Sequence, residues 1–122
     1  MVDFPPEIIT RERLDAIDII FPNPKYASLT SVLVRAYEQA ASGKGAERHA
    51  NGEPFEQQPI CAINRLHGSI DGALFQVAKK AHESRRLPRD RAVSELLGAI
   101  NYLAACVILV EEGLLDGIPA HN

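Results

Sequence analysis

Apolar residues recur along this chain at intervals of three and four, the spacing that places side chains on one face of a helix. In the first such segment, 10–21, Leu14, Ile17 and Phe21 share a face, and prolines follow at positions 22 and 24. Proline lacks an amide proton and restricts the residue before it. We therefore predict a short helix over 10–21, with Thr10 capping its first amides.

The second segment carries the clearest helical stripe. Its members are Leu29, Val32, Leu33, Ala36, Tyr37 and Ala40. Ser28 precedes the stripe with a hydroxyl suited to the free amides of a first turn. Gly43 follows it and can adopt the left-handed backbone that often ends a helix. A helix is therefore predicted between Ser28 and Gly43.

The third segment, 60–86, repeats the helical spacing but contains two glycines. Its stripe is Ile63, Leu66, Ile70, Leu74, Val77 and Ala81. Gly68 and Gly72 interrupt it, and glycine disfavours helix interiors. Two explanations stay open: a break near Ser69, or, as we favour, close approach of another helix at the glycines.

The last segment opens with Pro88, a residue favoured in a first helical turn, and precedes Gly113. It predicts a helix over 88–112, about 37 Å long. Between 99 and 110 Asn101 is the only clear polar exception, so this helix should be buried on several sides. In so short a chain we expect another subunit to supply the cover. The residues expected to dominate the core or the subunit seam are Ile100, Leu103, Val107 and Ile108.

Together these segments predict an all-α protein, a small four-helix-like bundle with a long functional loop that forms homo-oligomers. A chain of 122 residues is the size of one domain. We divide it into an N-terminal arm with a short helix (1–27), a helical core (28–113) and a tail (114–122).

Composition narrows the functional classes. Hydrophobic residues make up 46% of the chain and charged residues 24%, which excludes a disordered chain. The absence of Trp and the net charge of −3 argue against a partner that is a nucleic-acid polymer. Two cysteines form neither a disulfide framework nor a zinc signature. We recognise no run of about 20 apolar residues, which a membrane span needs, and no leader peptide. We therefore expect a cytoplasmic protein with no membrane partner.

Charge is concentrated in one place. Between 79 and 91 there are six cations and two acids, a net +4 on an acidic chain. This favours a small anionic ligand over a polymer. The alternative is a solvated helix face with ordinary ion pairs.

The long segment 43–59 lacks a repeat period and is dense in polar side chains, which is typical of functional loops. It opens with Gly43-Lys44-Gly45, a weak phosphate-loop signal without the full motif. Arg48 can grip a phosphate with two hydrogen bonds. His49 can donate a hydrogen bond, act as a base or bind a metal.

From 31 to 112 the layout resembles the small all-α nucleotide pyrophosphohydrolases, including phage dATP/dGTP diphosphohydrolase-like proteins. The resembling stretches are 33–40 (LVRAYEQA) with the following GKG, and 95–103 (ELLGAINYL). The resemblance implies carboxylate motifs that hold magnesium against substrate phosphates. Gly98 stands where the second motif has an aspartate, and the first lacks its doubled glutamate. For an enzyme, the catalytic candidates are Glu47, Glu83 and Glu95, and the magnesium ligands Glu38, Glu83 and Glu95.

The last 40 residues also resemble the helical hairpin of phage anti-defence nucleotide sponges, of the anti-CBASS and anti-Thoeris type. The resemblance is carried by Leu96, Ala99, Ile100, Asn101, Tyr102 and Ala105, preceded by Pro88 and a basic turn. It implies a small oligomer that holds a cyclic nucleotide or an ADP-ribose derivative without cleaving it.

Sequestration of a small phosphorylated nucleotide, with no cofactor, is therefore our preferred function. A magnesium-dependent dNTP pyrophosphohydrolase and a structural helical oligomer without ligand are the alternatives. The ligand site is expected between the loop and the basic end of the third helix. The predicted ligand-binding residues are Lys44, Arg48, His49, Phe55, Gln58, Lys79, Lys80, Arg86 and Tyr102.

Overall fold

A computed structural model describes residues 20–42 and 52–114 of the chain. These ranges contain four α-helices and no strand: α1 (Ala27–Ser42), α2 (Pro59–His67), α3 (Asp71–Ser84) and α4 (Arg89–Glu111). The all-α prediction is confirmed at this level. The predicted helix over 10–21 and the predicted tail lie almost wholly outside the described residues.

A short 3-10 turn, Pro24–Tyr26, leads directly into α1. The side chain of Asn23 accepts a hydrogen bond from the Lys25 amide at 3.1 Å and so begins the turn. The predicted cap, Ser28, is instead the second residue of α1. The turn moves the helix start from residue 29 to Ala27, two residues earlier, because proline at the first position of the turn already supplies a helical φ.

The third predicted helix is two helices with a sharp break. Gly68 adopts a left-handed conformation (φ +66°) and ends α2, so its freedom serves a helix stop and not the close helix approach we favoured. The start of α3 is capped by side chains from outside the helix. Asn64 Oδ1 accepts from the Ala73 amide at 3.3 Å, and Ser69 Oγ accepts from the Asp71 amide at 3.0 Å.

The last helix, α4, begins directly after Pro88 and ends near the predicted residue. Gly113 has φ +94°, and the Leu114 amide donates to the Leu109 carbonyl at 3.0 Å. This left-handed stop turns the chain back onto the core, where Leu114 packs. The prediction that Gly113 ends the helix is confirmed.

The helices pack around α4. The short 85–88 connection folds α3 back along α4, and α1 crosses another side of it. Two hydrogen bonds hold α1 in place: Asn101 Nδ2 donates to the Ala36 carbonyl at 3.0 Å, and Gln39 Nε2 to the Ser94 carbonyl at 3.0 Å. Since Asn101 meets Ala36 and Ser94 meets Gln39, α1 runs antiparallel to α4.

The core is thin and built from small side chains. The buried apolar residues of the described ranges are Ala36, Cys61, Ala73, Ala99, Ala105, Cys106 and Leu109. Leu103 and Val107, predicted for the core or a subunit seam, are 45% and 58% exposed, so they do not belong to the core of this chain. Small residues let α1 and α3 approach α4 closely, but they leave many larger apolar side chains outside.

By length and composition alone, α4 is able to cross a membrane. It has 23 residues, and an 18-residue window has a mean hydropathy of 2.0. The sequence expectation rested on the absence of a run of about 20 apolar residues, whereas a mean over a window also admits scattered polar residues. Core helices of soluble proteins meet the same criterion, so this observation alone does not place α4 in a bilayer.

Candidate ligand site

The loop that was expected to form half of the site is described only in its last part. Lys44, Glu47, Arg48 and His49 lie outside the described residues. From Gly52 onward the loop contains a 3-10 turn, Phe55–Gln57, that leads into α2.

The two predicted site residues in this part both hold the loop against the helices. Phe55 is half-buried and packs on the cluster of Cys61, Ala105 and Leu109. Gln58 Nε2 donates to the Glu53 carbonyl at 2.8 Å. In this arrangement Phe55 anchors the loop to the core, and the amide of Gln58 is used within the loop.

Lys80 and Tyr102, by contrast, are brought together. The Lys80 ammonium lies 5.8 Å from the centre of the Tyr102 ring, at cation–π distance. Its Nζ is also 3.5 Å from Glu95 Oε2. Glu95 and Tyr102 are seven residues apart on one face of α4, so a single lysine from α3 reaches both.

Gly98 leaves the space that the Lys80 side chain occupies. It lies between Glu95 and Tyr102 on the same face, and a Cβ at this position would lie 3.4 Å from Lys80 Cδ and Cε. The missing side chain lets the lysine stem lie against the helix backbone. Because Glu95 faces the ammonium, the charge of Lys80 is largely compensated within the protein.

The turn between α3 and α4 carries the cations that are not compensated in this way. His82 contacts two arginines: Arg85 Nη2 is 3.4 Å from His82 Nδ1, and Arg86 Nη2 is 3.5 Å from His82 Nε2. A neutral imidazole accepts at only one nitrogen, so at most one of these contacts is a hydrogen bond. We call Arg85, Arg86, Arg89 and Arg91 the cationic turn.

No carboxylate in the described ranges forms an ion pair with the cationic turn; the ion pairs found there are Arg65–Glu112 and Lys80–Glu95. All four arginines are exposed, as is Lys79 one turn before His82. Guanidinium groups keep their charge at any physiological pH and match the oxygens of phosphate in pairs. The turn is therefore chemically suited to hold a phosphorylated anion.

The two described parts of the predicted site contact different stretches of α4. Phe55 packs near Leu109, whereas Lys80 lies over Gly98. Eleven residues of helix separate these positions, about 16 Å along the axis. The structure thus brings Lys80 and Tyr102 together, leaves Phe55 and Gln58 in the loop before α2, and leaves Lys79 and Arg86 exposed.

The carboxylates considered as magnesium ligands lie in different surroundings. Glu38 is buried on α1 with 5% exposure, Glu83 is exposed on α3, and Glu95 faces Lys80. Within the described ranges no three His, Cys, Asp or Glu side chains form a group able to hold a metal ion. Glu47 lies outside these ranges, so the magnesium hypothesis stays a prediction for an activity assay.

The shorter of the two ion pairs in the described ranges was not anticipated from the sequence. Arg65 Nε and Nη2 donate to the two carboxylate oxygens of Glu112 at 2.7 and 2.8 Å, and Nη2 also reaches the Glu56 carbonyl. Hydrogen bonds from Arg65 hold the pKa of Glu112 below its usual range. These residues are 47 positions apart, so no local spacing signals the pair. The contact ties α2 and the loop to the end of α4.

Both cysteines are buried and free in the described structure. Burial raises the pKa of the Cys61 thiol and of the Cys106 thiol, which disfavours the reactive thiolate. This agrees with the expectation that Cys106 is a core thiol.

No family model, curated protein or solved structure matches this chain. The resemblances to the pyrophosphohydrolases and to the nucleotide sponges therefore stay hypotheses that rest on the quoted sequence stretches.

Proposed function

We propose that this protein binds a small phosphorylated nucleotide at the cationic turn and holds it without cleaving it. The observation that carries this proposal is a group of exposed arginines that has no ion-paired carboxylate in the described ranges. Like charges held close together repel one another, and an anion with several negative oxygens relieves that repulsion. Cyclic nucleotides and ADP-ribose derivatives are the ligand classes proposed.

Within this proposal the side chains have different roles. Arg85 and Arg86 lie on either side of His82 and supply the two forks for phosphate oxygens. Lys79 adds charge from α3. Lys80 is already engaged with Glu95 and Tyr102, so it contributes less to the affinity than its position in the sequence suggested. Lys44, Arg48 and His49 are proposed to complete the site from the loop.

Holding is preferred to hydrolysis because Glu95, a proposed magnesium ligand, faces an ammonium group. A metal ion there would have to compete with Lys80 for the same carboxylate. Release of pyrophosphate from dNTPs with magnesium, at about 1 per second or faster, would favour the hydrolase alternative. Loss of that activity in Glu95→Gln would then assign the carboxylate.

The binding proposal is tested by calorimetric titration of the full chain with a panel of mononucleotides, cyclic nucleotides and ADP-ribose, with inorganic phosphate as reference. We expect binding that weakens with salt, because charged contacts are screened. Arg85→Gln with Arg86→Gln should weaken binding at least tenfold, since hydrogen bonds to charged groups contribute about 1.5–3 kcal/mol each.

Lys25→Gln is the matched control for this experiment. Lys25 is also an exposed cation, but it precedes α1, whose start lies toward the far end of α4. Its removal lowers the net charge by one, against two for the double variant, and should leave the affinity unchanged. Equal losses in both variants, or no binding of any nucleotide, would contradict the proposal.

A second candidate function is that of a structural helical oligomer without ligand. It is favoured by the apolar surface: 15 large apolar side chains in the described ranges are at least 36% exposed. We propose self-association of the chain under either function. The phage anti-defence role and the bacterial cytoplasm as its location rest on the stated resemblance alone. Self-association without any nucleotide binding would support the second candidate.

A further inference from the structure

Helix α4 carries a regular apolar stripe that is exposed among the described residues. Its members, here called the α4 stripe, are Val93, Leu96, Ile100, Leu103, Val107 and Val110. Five of them are 36–58% exposed, and Ile100 is half-buried. Their spacing alternates three and four over 17 residues, about 26 Å of helix. This alternation is the pattern of a seam between two packed helices.

The opposite sides of α4 are already occupied. Ser94 and Asn101 contact α1, and Glu95 and Tyr102 contact Lys80 of α3. The buried residues of the helix are Ala99, Ala105, Cys106 and Leu109. With 3.6 residues per turn, these positions and the α4 stripe lie on different faces. The stripe is therefore a second apolar face and no part of the internal core.

We propose that a second copy of this chain covers the α4 stripe, forming a two-fold dimer in which α4 packs against α4. This inference rests on the self-association proposed above and is independent of the ligand.

An identical partner fits this surface because the stripe contains no charge. In a two-fold contact residue i of one copy meets residue j of the other, and j meets i, so a stripe of uncharged side chains pairs apolar surface with apolar surface and buries no charge. Ala92 and Ala104 flank the stripe and leave room for close approach of two helix backbones. Burial of five or six branched apolar side chains from each copy supplies the driving force.

The ends of α4 are complementary in charge. The first turn holds Arg89, Asp90 and Arg91, a net positive charge, with Arg89 four residues before Val93 on the side of the stripe, and Glu111 lies in the last turn. An antiparallel arrangement places the basic end of one copy beside the acidic end of the other and also opposes the two helix dipoles. A parallel arrangement would bring two cationic turns together. We therefore assign the antiparallel orientation.

A lipid bilayer is a poorer partner than a second copy. The charged helix α3 lies along α4 and carries Asp71, Lys79, Lys80 and Glu83. Insertion of α4 would draw these charges toward the hydrocarbon, where charged side chains are strongly disfavoured.

The chain's own N-terminal segment is also poorly suited to the stripe. The sequence-predicted helix over 10–21 would be about 18 Å long, shorter than the stripe. It contains five charged residues: Arg11, Glu12, Arg13, Asp15 and Asp18.

The decisive variant is Val107→Asp in the full chain, with Leu66→Asp as the matched control. Both residues are exposed on helices, at 58% and 82%, so neither substitution buries a charge within one chain. For each chain, analytical ultracentrifugation gives the mass and circular dichroism gives the helicity, at protein concentrations from about 1 to 100 μM. We expect a dimer for the wild type and Leu66→Asp, and a folded monomer for Val107→Asp, whose dimer dissociation constant should be at least a hundredfold higher than that of the wild type.

Three outcomes would overturn the inference. A wild type that is monomeric throughout contradicts self-association itself. A Val107→Asp chain that remains dimeric while Leu66→Asp dissociates keeps self-association but moves it to another surface. Partition of the wild type into neutral phosphatidylcholine vesicles, lost in Val107→Asp, would identify the bilayer as the partner. If Val107→Asp unfolds, the experiment uses Leu103→Gln, which adds no charge. We expect this variant to be a monomer as well.

Discussion

Gly98 shows how one residue without a side chain organises several others. The stem of Lys80 passes over it, with Gln39 Oε1 3.5 Å from the position of a Cβ. The sequence marked Gly98 only as the position where a metal-binding motif is incomplete. In the structure the same glycine lets α3 place an ammonium between Glu95 and Tyr102.

Replacement of Gly98 by Ala should stabilise the protein by up to about 1 kcal/mol, because alanine favours a helix interior by that amount over glycine. The new methyl group would make ordinary contacts with the flexible lysine stem. Urea denaturation of the two chains measures the change.

Gly72→Ala provides the comparison for this prediction. Its Cβ would lie 3.3 Å from Asn64 Oδ1, an oxygen held by the α3 cap. We expect this variant to gain less than Gly98→Ala or to lose stability. A clear loss of stability in Gly98→Ala would show that Lys80 cannot shift from its place over the helix.

At the scale of elements, the helices themselves were predictable and their junctions only in part. The stripes located α1 and α4 because helix formation follows local spacing, and Gly113 marked a stop. The break at Gly68 was one of two open explanations for the third segment. Asn64, which caps the next helix from nine residues away, has no signature in the spacing of apolar residues.

The Arg65–Glu112 pair joins three elements and should make stability depend on pH. The pKa of Glu112 is lowered in the folded protein, so its stabilisation is present above the unfolded pKa of about 4.3 and is lost as the pH falls through the lower folded value. Glu112→Gln should therefore be less stable than the wild type at pH 7, and the difference should shrink below about pH 4.

Thermal unfolding between pH 3 and 7 tests this expectation, with Glu83→Gln as the control. Glu83 is exposed on α3 and takes part in no ion pair found in the described ranges. Its neutralisation should leave the pH dependence of unfolding as in the wild type. A difference between Glu112→Gln and the wild type that persists unchanged at pH 3 would show that the carboxylate charge is not responsible.

At the scale of the whole molecule, the proposed assembly makes a geometric prediction. A nitroxide spin label on Arg91→Cys should be on the order of 30 Å from its equivalent in an antiparallel dimer, because about 21 residues of helix separate the two positions. In a parallel dimer the separation would be close to the distance between packed helices, about 8–10 Å, plus the label arms.

Pulsed electron paramagnetic resonance measures this distance. The native thiols do not interfere, since Cys61 and Cys106 are buried. A short distance would contradict the assigned orientation, and the two cationic turns would then lie side by side.

What the sequence determined by itself is the local part of this protein: helical class, approximate helix bounds and the concentration of cations in 79–91. These follow from contacts between residues three or four positions apart and from composition. The sequence also indicated that the last helix is apolar on more sides than one chain covers.

What only the tertiary structure decided is which distant residues meet. It separated Phe55 from Lys80 by about 16 Å along α4, joined Arg65 to Glu112, and set Lys80 against Glu95 while leaving the cationic turn exposed. It also divided the apolar surface of α4 into an internal face and an external stripe. The physical reason is that packing geometry between helices depends on the sizes of side chains far apart in sequence, which no local pattern encodes.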